Sequence, residues 1–478
     1  MADSDFTVII VGGSIAGLTL AHCLHLAGIK YAVLEKRTEI APQEGASVGI
    51  MPNGARILEQ LALYDAVEKL VEPVQVGHFV FPDGFSFDSL FPAVLRERFG
   101  YPIAFLDRRD LLKILYSSLR YKDNVHVNKT VVNIDREPHS QLMRVHTADG
   151  GVYKGDLVVG ADGVHSRVRA EMWRIANTVQ PGLITDKEMD SMTVEYGCIF
   201  GMSSPTPGMN EGDQTTAFKD GWTIFITVGK NRRLYWFVFG KLKRIYRYKA
   251  RDAPRFSVKE AEMRCEEISD EPFWKDITFG DIWKRRENFG MIPLEENLFK
   301  SWHHEGIVCI GDSMHKLAPH PGQGANCAME DAAALSNRLY ERLCPKTDEK
   351  RTKPTPAELD SLLRAFADNR IRRMSHVYKD ARFLMRMQAR DGLRNKILPR
   401  YVLPFLADLP SMKTSAIAGG GIALDFVAEP KRSENKWPEY HIETRRTQLR
   451  IVFILIVPLL VLSFFGYLGT RKVFSVLA

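Results

Sequence analysis

The chain has 478 residues, 45% of them apolar and 26% charged, with a formal net charge of +7. These values are those of a folded protein with more than one packed domain, and they exclude widespread disorder and a strongly basic nucleic-acid-binding protein. The six cysteines are scattered without a C-x-x-C pair, so we expect reduced, mostly buried thiols and neither a metal site nor a disulfide framework.

A β-α-β pattern opens the chain. An apolar, β-branched run at residues 6–11 leads to the glycine-rich turn at residues 12–17, and a helical pattern follows over residues 18–27. A second apolar run, residues 31–34, ends at Glu35. The unit therefore spans the ~30 residues expected for a dinucleotide-binding fold.

The residue types in this unit suit a dinucleotide. Gly12 permits a tight turn, Gly17 lets the helix pack closely on the strand, and Glu35 is placed to bind an adenosine ribose. Ser14 stands where the motif usually has its middle glycine, but it is small enough for a pyrophosphate to approach. A rival reading is the G-x-S-x-G turn of α/β-hydrolases, which ranks low because Ala16 replaces its last glycine.

Two segments further on are less specific. Residues 45–58 predict a loop of small residues that runs into a helix, which suits contact with a flat ring and equally suits an ordinary turn. Residues 106–119 have an amphipathic helical pattern with Arg108 and Arg109 at its start. Cations there oppose the helix dipole, so we expect a compensating anion or exposure to solvent.

A buried strand followed by an acidic turn occurs twice. Residues 157–159 lead to the turn at 160–163, which contains Asp162, and residues 306–310 lead to Gly311 and Asp312. After the second turn, a loop rich in proline and glycine runs into a long helix. A carboxylate for a sugar hydroxyl and free N–H groups at a helix start are the chemistry of a nucleotide-like redox cofactor.

Between these turns the sequence is rich in β-strand patterns. Residues 222–228 and 234–239 predict a hairpin of aromatic strands. Such a sheet suits a platform for a large apolar substrate. An ordinary hydrophobic core explains the same residues, and the sequence does not separate the two.

The C-terminal part predicts helices and an anchor. A polar linker at residues 345–357 precedes a helical pattern over residues 358–387. Residues 451–469 are uncharged and apolar, close to the ~20 residues that span a bilayer, and basic residues flank both ends. More basic residues precede this segment than follow it, which predicts a globular part in the cytosol. The N-terminal residues lack the pattern of a signal peptide, so secretion is not expected.

The glycine motif with Glu35, the motif at residues 160–169 and the motif at residues 311–326 occur in one order. Together they resemble the group A, aromatic-hydroxylase type of FAD-dependent monooxygenase over about residues 5 to 375. The resemblance implies FAD as cofactor, NADPH or NADH as reductant, and oxygen transfer through a flavin C4a-hydroperoxide. It implies the following cofactor-binding residues: Gly12, Ser14 and Gly17 in the first turn, Glu35 at the adenosine ribose, Gly49 in a loop near the flavin, Arg108 (or Arg109) at the cofactor, Asp162 with Gly163 serving FAD and the nicotinamide, Asp312 at the ribityl chain, and Gly324 and Ala325 at the pyrimidine edge.

The implied fold is α/β, with a Rossmann-like FAD-binding domain of the p-hydroxybenzoate-hydroxylase type, an inserted mixed β-sheet substrate domain, C-terminal helices and one transmembrane helix. The expected division is FAD-binding segments at 1–75, 101–179 and 286–375, substrate-domain segments at 76–100 and 180–285, a helical and linker region at 376–445, and the transmembrane helix at 451–469. No catalytic residue of the protein is assigned, because the cofactor carries the oxygen chemistry.

More narrowly, the chain is similar to the membrane-associated fungal epoxidases of indole-diterpene and meroterpenoid biosynthesis. That similarity implies epoxidation of a prenyl chain on an aromatic or indole head, with a membrane terpene cyclase as a partner and no nucleic acid. It also implies a C-terminally anchored protein of the endoplasmic reticulum whose catalytic domain faces the cytosol. An aromatic-ring hydroxylase of the same fold and a non-enzymatic, membrane-tethered scaffold remain the alternatives.

Overall fold

The computed structural model describes residues 6–42, 47–138, 140–247, 254–344, 352–405, 409–433 and 437. The strands are β1 (Thr7–Val11), β2 (Lys30–Leu34), β3 (Ser47–Ile50), β4 (Val76–Val80), β5 (Ser86–Ser89), β6 (Ala104–Asp107), β7 (Val125–His126), β8 (Val131–Arg136), β9 (Met143–Thr147), β10 (Val152–Gly155), β11 (Leu157–Gly160), β12 (Thr193–Ser203), β13 (Asp213–Lys219), β14 (Trp222–Val228), β15 (Leu234–Arg247), β16 (Pro272–Trp274), β17 (Ile277–Thr278), β18 (Arg286–Leu298), β19 (His303–His304), β20 (Ile307–Cys309) and β21 (His315–Lys316). The helices are α1 (Ile15–Leu26), α2 (Pro52–Gln60), α3 (Tyr64–Glu68), α4 (Phe91–Phe99), α5 (Arg108–Ser117), α6 (Arg167–Val179), α7 (Asp186–Met189), α8 (Val258–Glu267), α9 (Phe279–Trp283), α10 (Gln323–Leu343), α11 (Pro356–Gln388), α12 (Leu393–Ile397) and α13 (Leu409–Gly419).

A six-stranded sheet in the order β19-β20-β11-β1-β2-β7 carries the first predicted motif. Its strands pair in parallel except at β19, which is antiparallel to β20. The predicted β-α-β unit is confirmed, because α1 connects the neighbouring parallel strands β1 and β2. Strand β1 is covered on both faces, with Val8, Ile9 and Ile10 at most 2% exposed, which is why its sequence is continuously apolar.

An eight-stranded mixed sheet in the order β21-β18-β12-β15-β14-β13-β4-β5 forms the second layer. The predicted aromatic hairpin is confirmed: β14 and β15 pair antiparallel, with Val228 opposite Leu234. One face of this sheet, including Ile224 and Trp236, packs on α8 and α9. The sheet continues through β18 to Leu298, beyond the expected domain boundary at residue 285.

Helix α11 connects the two layers. A capping box between Thr355 and Glu358 begins it, and it continues for 33 residues, which confirms the predicted helix over 358–387. Its first half packs on α10, while Ala381 and Met385 near its end pack against Tyr196 and Phe239 of the eight-stranded sheet. The long helix therefore fixes the position of the aromatic sheet relative to the parallel sheet.

Three further expectations from the sequence concern the cysteines, the segment that contains Gly49 and the C-terminal anchor. All six cysteines are buried, as expected. The loop predicted to contain Gly49 is wrong: residues 47–50 form β3, because this segment pairs with β6 more than fifty residues later. The predicted anchor, residues 451–469, lies outside the described residues. Among the helices that are described, none is long and apolar enough to cross a membrane.

Candidate functional site

The predicted acidic and glycine-rich turns meet at one edge of the parallel sheet. Glu35 follows β2, the glycine-rich turn follows β1, Asp162 follows β11 and Asp312 follows β20, and these four strands are consecutive neighbours. Carboxyl ends of parallel strands lie together, so turns that are 277 residues apart in sequence, from Glu35 to Asp312, line one crevice. Open α/β sheets bind ligands in such a crevice.

The first turn is closely packed at its glycines. A Cβ atom on Gly17 would lie 1.9 Å from the carbonyl oxygen of Gly12, and one on Gly12 would lie 2.4 Å from the carbonyl oxygen of Ala161. Gly12 also has a φ of +109°, a conformation that favours glycine. Glu35 holds this turn from the neighbouring strand end, where its Oε2 accepts a hydrogen bond of 2.7 Å from the N–H of Gly13.

Two long helices point uncapped N-termini into the crevice. Ser14 precedes α1 but makes no capping hydrogen bond; its hydroxyl instead accepts one of 2.7 Å from Nη2 of Arg108. Gly322, with a φ of 63°, precedes α10 and has no side chain to cap it. By contrast, Ser166 caps α6 and Thr355 caps α11. The first N–H groups of α1 and α10 are therefore available to an anionic or electron-rich ligand.

The structure distinguishes the two arginines at the start of α5. Arg108 reaches the glycine-rich turn through Ser14, whereas Nε of Arg109 donates to the carbonyl oxygen of Ala41 at 3.2 Å. Asp107, the N-cap of α5, accepts a hydrogen bond from the N–H of Arg109 and places a negative charge at the helix start that carries the two cations. The geometry favours Arg108 as the cofactor-facing residue.

There is room for a flat ligand at two of the predicted glycines. Among the described residues, apart from chain neighbours and the nearby backbone of α10, no atom lies within 4 Å of the position that a Cβ would occupy on Gly163 or Gly324. Gly324 and Ala325 form the first turn of α10, and both are partly exposed. This open space beside uncapped N–H groups fits the ring system of the predicted cofactor.

The two acidic turns differ in what their carboxylates contact. Asp162 accepts hydrogen bonds from the Ser166 hydroxyl at 2.5 Å and from the N–H groups of Arg167 and Val168 at 2.6 and 3.1 Å. These contacts hold the start of α6, and burial raises the pKa of Asp162. Asp312 is one-third exposed and forms an ion pair of 2.5 Å with Lys316, which raises the pKa of that lysine against the lowering effect of burial. Of the two carboxylates, that of Asp312 is the more accessible.

Asn326 connects Gly49 to the start of α10. Its Nδ2 donates to the carbonyl oxygens of Gly49 at 2.8 Å and Gly322 at 2.6 Å, and its Oδ1 accepts from the N–H of Met51 at 3.0 Å. The sequence motif includes Asn326 but does not reveal this role. The side chain holds β3 against the loop before α10, so both walls of the crevice keep a fixed separation.

A buried charge cluster lies behind the second acidic turn. It consists of Glu330, Asp331, Arg370 and Arg373, of which the first three are fully buried. Arg370 donates to Asp331 at 2.6 Å and to Glu330 at 2.8 Å. Asp331 in turn accepts from the N–H of Gly311 at 2.7 Å, so the cluster supports the turn that bears Asp312. Sequence reasoning missed Arg370, since one arginine among many in a helical pattern carries no signal of burial.

Aromatic side chains from β6 and from the face of the eight-stranded sheet opposite α8 and α9 form one line. Successive ring centroids are 6.0 Å apart from Phe105 to Phe225, 6.0 Å from Phe225 to Phe237 and 5.9 Å from Phe237 to Phe239. Phe105 also lies beside Gly49, where a Cβ would be 3.2 Å from its ring. We call these four residues the aromatic row. It extends from β3 to the loop before α10.

His320 ends the aromatic row and was not predicted from the sequence. Its ring centroid lies 4.0 Å from that of Phe239, two residues before Gly322. Both ring nitrogens are shielded from solvent and have no hydrogen-bond partner among the described residues. Burial, assisted by Arg386, lowers the pKa of His320 to about 3, so the imidazole is neutral and offers one donor and one acceptor.

Comparisons with known proteins agree with this geometry. The sequence matches the family described as FAD binding domain over residues 5–353. It is 51% identical over 444 residues to the FAD-dependent monooxygenase pyr5 of Aspergillus fumigatus, covering 92% of this chain and 94% of that protein. It is 47% identical over 465 residues to the FAD-dependent monooxygenase atmM of Aspergillus flavus, covering 97% and 95%. An arginine-to-glutamine variant of Klebsiella pneumoniae HpxO complexed with FAD shares the fold, with a TM-score of 0.70 and 19% identity over 87% of this chain and 99% of that one.

Proposed function

This chain belongs to the FAD-binding-domain family and is an FAD-dependent monooxygenase, and on that premise we propose that it epoxidises an alkene of a prenyl chain carried by an aromatic or indole head. The proposed co-substrates are oxygen and NADPH, with NADH as the alternative reductant. The observation that carries the proposal is the aromatic row, which ends at His320, two residues before Gly322 at the uncapped N-terminus of α10.

The residues of the crevice fit FAD. The α1 N-terminus and Arg108 are suited to the pyrophosphate, Glu35 to the adenosine ribose and Asp312 to the ribityl chain. The open first turn of α10 suits the isoalloxazine ring and would stabilise negative charge on it. Bound FAD, once reduced, supplies the activation of oxygen as an electrophilic donor.

The aromatic row is suited to hold an alkene. Phe225 and Phe237 are only partly buried, so part of their apolar surface stays accessible beside Phe239. Ile292 shares this face of the sheet and is 45% exposed. Uncharged walls of this kind bind a hydrocarbon chain and exclude water, which preserves the activated oxygen for the double bond. The ring of His320 closes the end of the aromatic row, with both of its nitrogens shielded from solvent.

The test uses the purified full-length protein loaded with FAD. A panel of farnesylated and geranylgeranylated indoles and phenols is compared with phenolic acids that lack a prenyl chain. NADPH and NADH consumption is measured, and products are analysed by mass spectrometry. We expect one added oxygen atom on the prenyl chain. Stimulation of NADPH oxidation by phenolic acids, with oxygen on the ring, would instead identify a ring hydroxylase. A colourless protein that retains no flavin would instead support a non-enzymatic scaffold.

The proposal extends to location and partners. A polyprenyl chain partitions into lipid, so an enzyme held at a membrane meets its substrate at a higher local concentration. The apolar sequence at residues 451–469 supports a C-terminal anchor, with the catalytic domain on the cytosolic side of the endoplasmic reticulum. An epoxide on a prenyl chain is the substrate of a cyclising enzyme, so a membrane terpene cyclase is the proposed partner.

A further inference from the structure

An exposed apolar stripe lies on the segment that follows α11. Leu393, Ile397, Tyr401 and Phe405 are 73%, 46%, 60% and 84% exposed. They occur at every fourth residue, through α12, a π-helical turn (Leu398–Val402) and a 3₁₀ turn (Leu403–Phe405). Apart from Arg394, the residues between them are buried or half-buried, so these four side chains lie on the outer side of the segment, which we call the 393–405 stripe.

The other side of the same segment is attached to the protein. Pro399 and Leu403 are buried, and Arg400 lies with its guanidinium carbon 3.7 Å from the centre of the Phe85 ring. The segment is therefore held in place while the 393–405 stripe faces outward. Four large apolar side chains in one contiguous line are more than the scattered apolar residues of an ordinary soluble surface.

We propose that the 393–405 stripe is a membrane-docking surface that inserts into the interfacial region of a lipid bilayer, parallel to the membrane plane. Apolar side chains on one face with basic residues beside them are typical of interfacial helices. Arg394, Lys396 and Arg400 flank the stripe. Asp220 pairs with Lys396 and Asp83 with Arg400, so apolar contact supplies most of the binding and anionic lipid adds to it.

The size of the stripe favours a bilayer over a second copy of the chain. At about 200 Å² for each fully exposed side chain, the four exposed fractions amount to roughly 500 Å². Each partner of a stable protein interface contributes about 800 Å². A bilayer has no such minimum, because each inserted side chain adds its own apolar burial.

The amino-acid sequence after the described residues also favours a lipid bilayer as the partner of the 393–405 stripe. Trp437 packs against Phe99, with ring centroids 4.7 Å apart, and the apolar run begins at residue 451. Fourteen extended residues span at most about 50 Å. If residues 451–469 enter a bilayer, the body of the protein stays within that distance of it, and the 393–405 stripe is an apolar surface ready to make the contact.

The 393–405 stripe is also close to the proposed substrate site. Just before it, the carbonyl oxygen of Ala389 accepts from the N–H of Gly221 at 2.8 Å, and that of Gln388 accepts from the Thr223 hydroxyl at 2.5 Å. These contacts bind the end of α11 to the strand that bears Phe225. Docking would therefore bring the aromatic row near the lipid in which a prenylated substrate dissolves. This role in substrate access rests on the proposed function.

The test places an environment-sensitive fluorophore on the FAD-loaded full-length protein at Phe405→Cys, with Val179→Cys as the matched control. The native cysteines are buried, so labelling is selective. Val179 is 62% exposed on α6, which packs on β19 near the beginning of α11. A helix of 33 residues is about 50 Å long, so Val179 lies far from the stripe.

Vesicles of phosphatidylcholine, with and without phosphatidylserine, carry nitroxide groups on their acyl chains. We expect a blue shift and quenching at position 405, stronger with phosphatidylserine, and neither effect at position 179. The proposal is overturned by an unchanged spectrum at 405 or by equal quenching at both positions. It is also overturned by a blue shift without vesicles: a concentration-dependent shift would show a second copy on the stripe, and a constant shift would show the chain's own C-terminal segment there.

A second variant separates docking from catalysis. Changing Leu393, Ile397, Tyr401 and Phe405 together to serine alters only outward-facing side chains, so flavin content should not change. Epoxidation of substrate dissolved in vesicles should fall severalfold, while that of detergent-dispersed substrate should not. An equal fall in both would overturn the role in substrate access. Absence of epoxide in both, for wild type and variant alike, would overturn the proposed function and leave the fluorescence result valid.

Discussion

Replacing Arg370 by methionine removes the cation that joins two buried carboxylates behind the turn bearing Asp312. Arg370, Glu330 and Asp331 are fully buried, and Arg370 donates to both acids. Methionine has a similar length and no charge, so the change tests the ion pairs rather than the packing. Glu330 keeps Arg373 as a partner, while Asp331 keeps His315 and the N–H of Gly311.

The expected cost is about 3–5 kcal/mol of unfolding free energy, since losing one partner leaves a buried charge uncompensated. Burial alone would raise the pKa of Asp331, but His315 and Arg370 hold it at about 2, below its ordinary 3.8. A lowering of this size corresponds to about 2 kcal/mol for this carboxyl alone. Glu330 adds to this stabilisation, because Arg373 and Arg370 keep the pKa of Glu330 below its ordinary value despite burial.

The pH dependence has a definite sign. A carboxyl with a lowered pKa stabilises the folded state above its unfolded pKa, near 4, and loses that contribution as the pH falls toward 2. Removing Arg370 raises the pKa of Asp331 toward or above its unfolded value, so this carboxyl has less stability to lose on acidification. The difference in unfolding free energy between wild type and variant should therefore narrow as the pH falls below about 4. Urea unfolding followed by circular dichroism and flavin release, at neutral pH and from about pH 4 toward pH 2, measures both effects.

The control is Arg364→Met on the same helix. Arg364 is 68% exposed and pairs with Asp360 at 2.9 Å, so its loss should cost no more than about 1 kcal/mol. FAD retention should fall in Arg370→Met and stay unchanged in Arg364→Met, because Asp331 supports the turn at Gly311. If the two variants unfold at the same urea concentration, the buried cluster does not stabilise the protein.

Three further predictions concern the site. Asp312→Ala should weaken FAD retention, measured as bound flavin per protein after gel filtration; unchanged flavin content would remove Asp312 from the site. Gly324→Val should fold normally, because its Cβ meets open space, but should lose FAD, whereas Gly240→Val in β15 meets equally open space and should keep it. His320→Phe keeps an aromatic ring at the end of the row and should keep FAD and the substrate Kd; a rise in Kd on the order of tenfold would show instead that a ring nitrogen contacts the substrate. Because burial lowers the pKa of His320 to about 3, the ratio of the variant Kd to the wild-type Kd should be constant between about pH 5 and 8.

The order of the binding segments was predictable because their signals are local. The short segments around Gly12, Asp162 and Asp312 supply an apolar strand, a glycine at a tight turn and an acidic residue at the strand end. The sheet then brings those strand ends together by a general rule of parallel topology. The aromatic hairpin at residues 222–239 was equally clear, since it needs only alternation and a short turn.

Contacts between distant segments were not predictable. Gly49 is in a strand because β6 pairs with it, and nothing near residue 49 specifies that partner. Asp162 was expected at the cofactor, yet its carboxylate contacts the start of α6; its predicted cofactor role stays a prediction. Arg370 looks like any arginine of an amphipathic helix until α10 covers it.

The amino-acid sequence by itself determined the FAD-binding crevice, because the chemistry of a nucleotide site is carried by short motifs whose spacing fixes strand, turn and helix. Only the tertiary structure decided what surrounds that crevice. It shielded the ring nitrogens of His320, which have no hydrogen-bond partner in the described part of the chain. It also set the aromatic row against the loop before α10 and left the 393–405 stripe exposed. The physical reason is that burial and exposure depend on which segments pack together, and packing joins residues that are hundreds of positions apart.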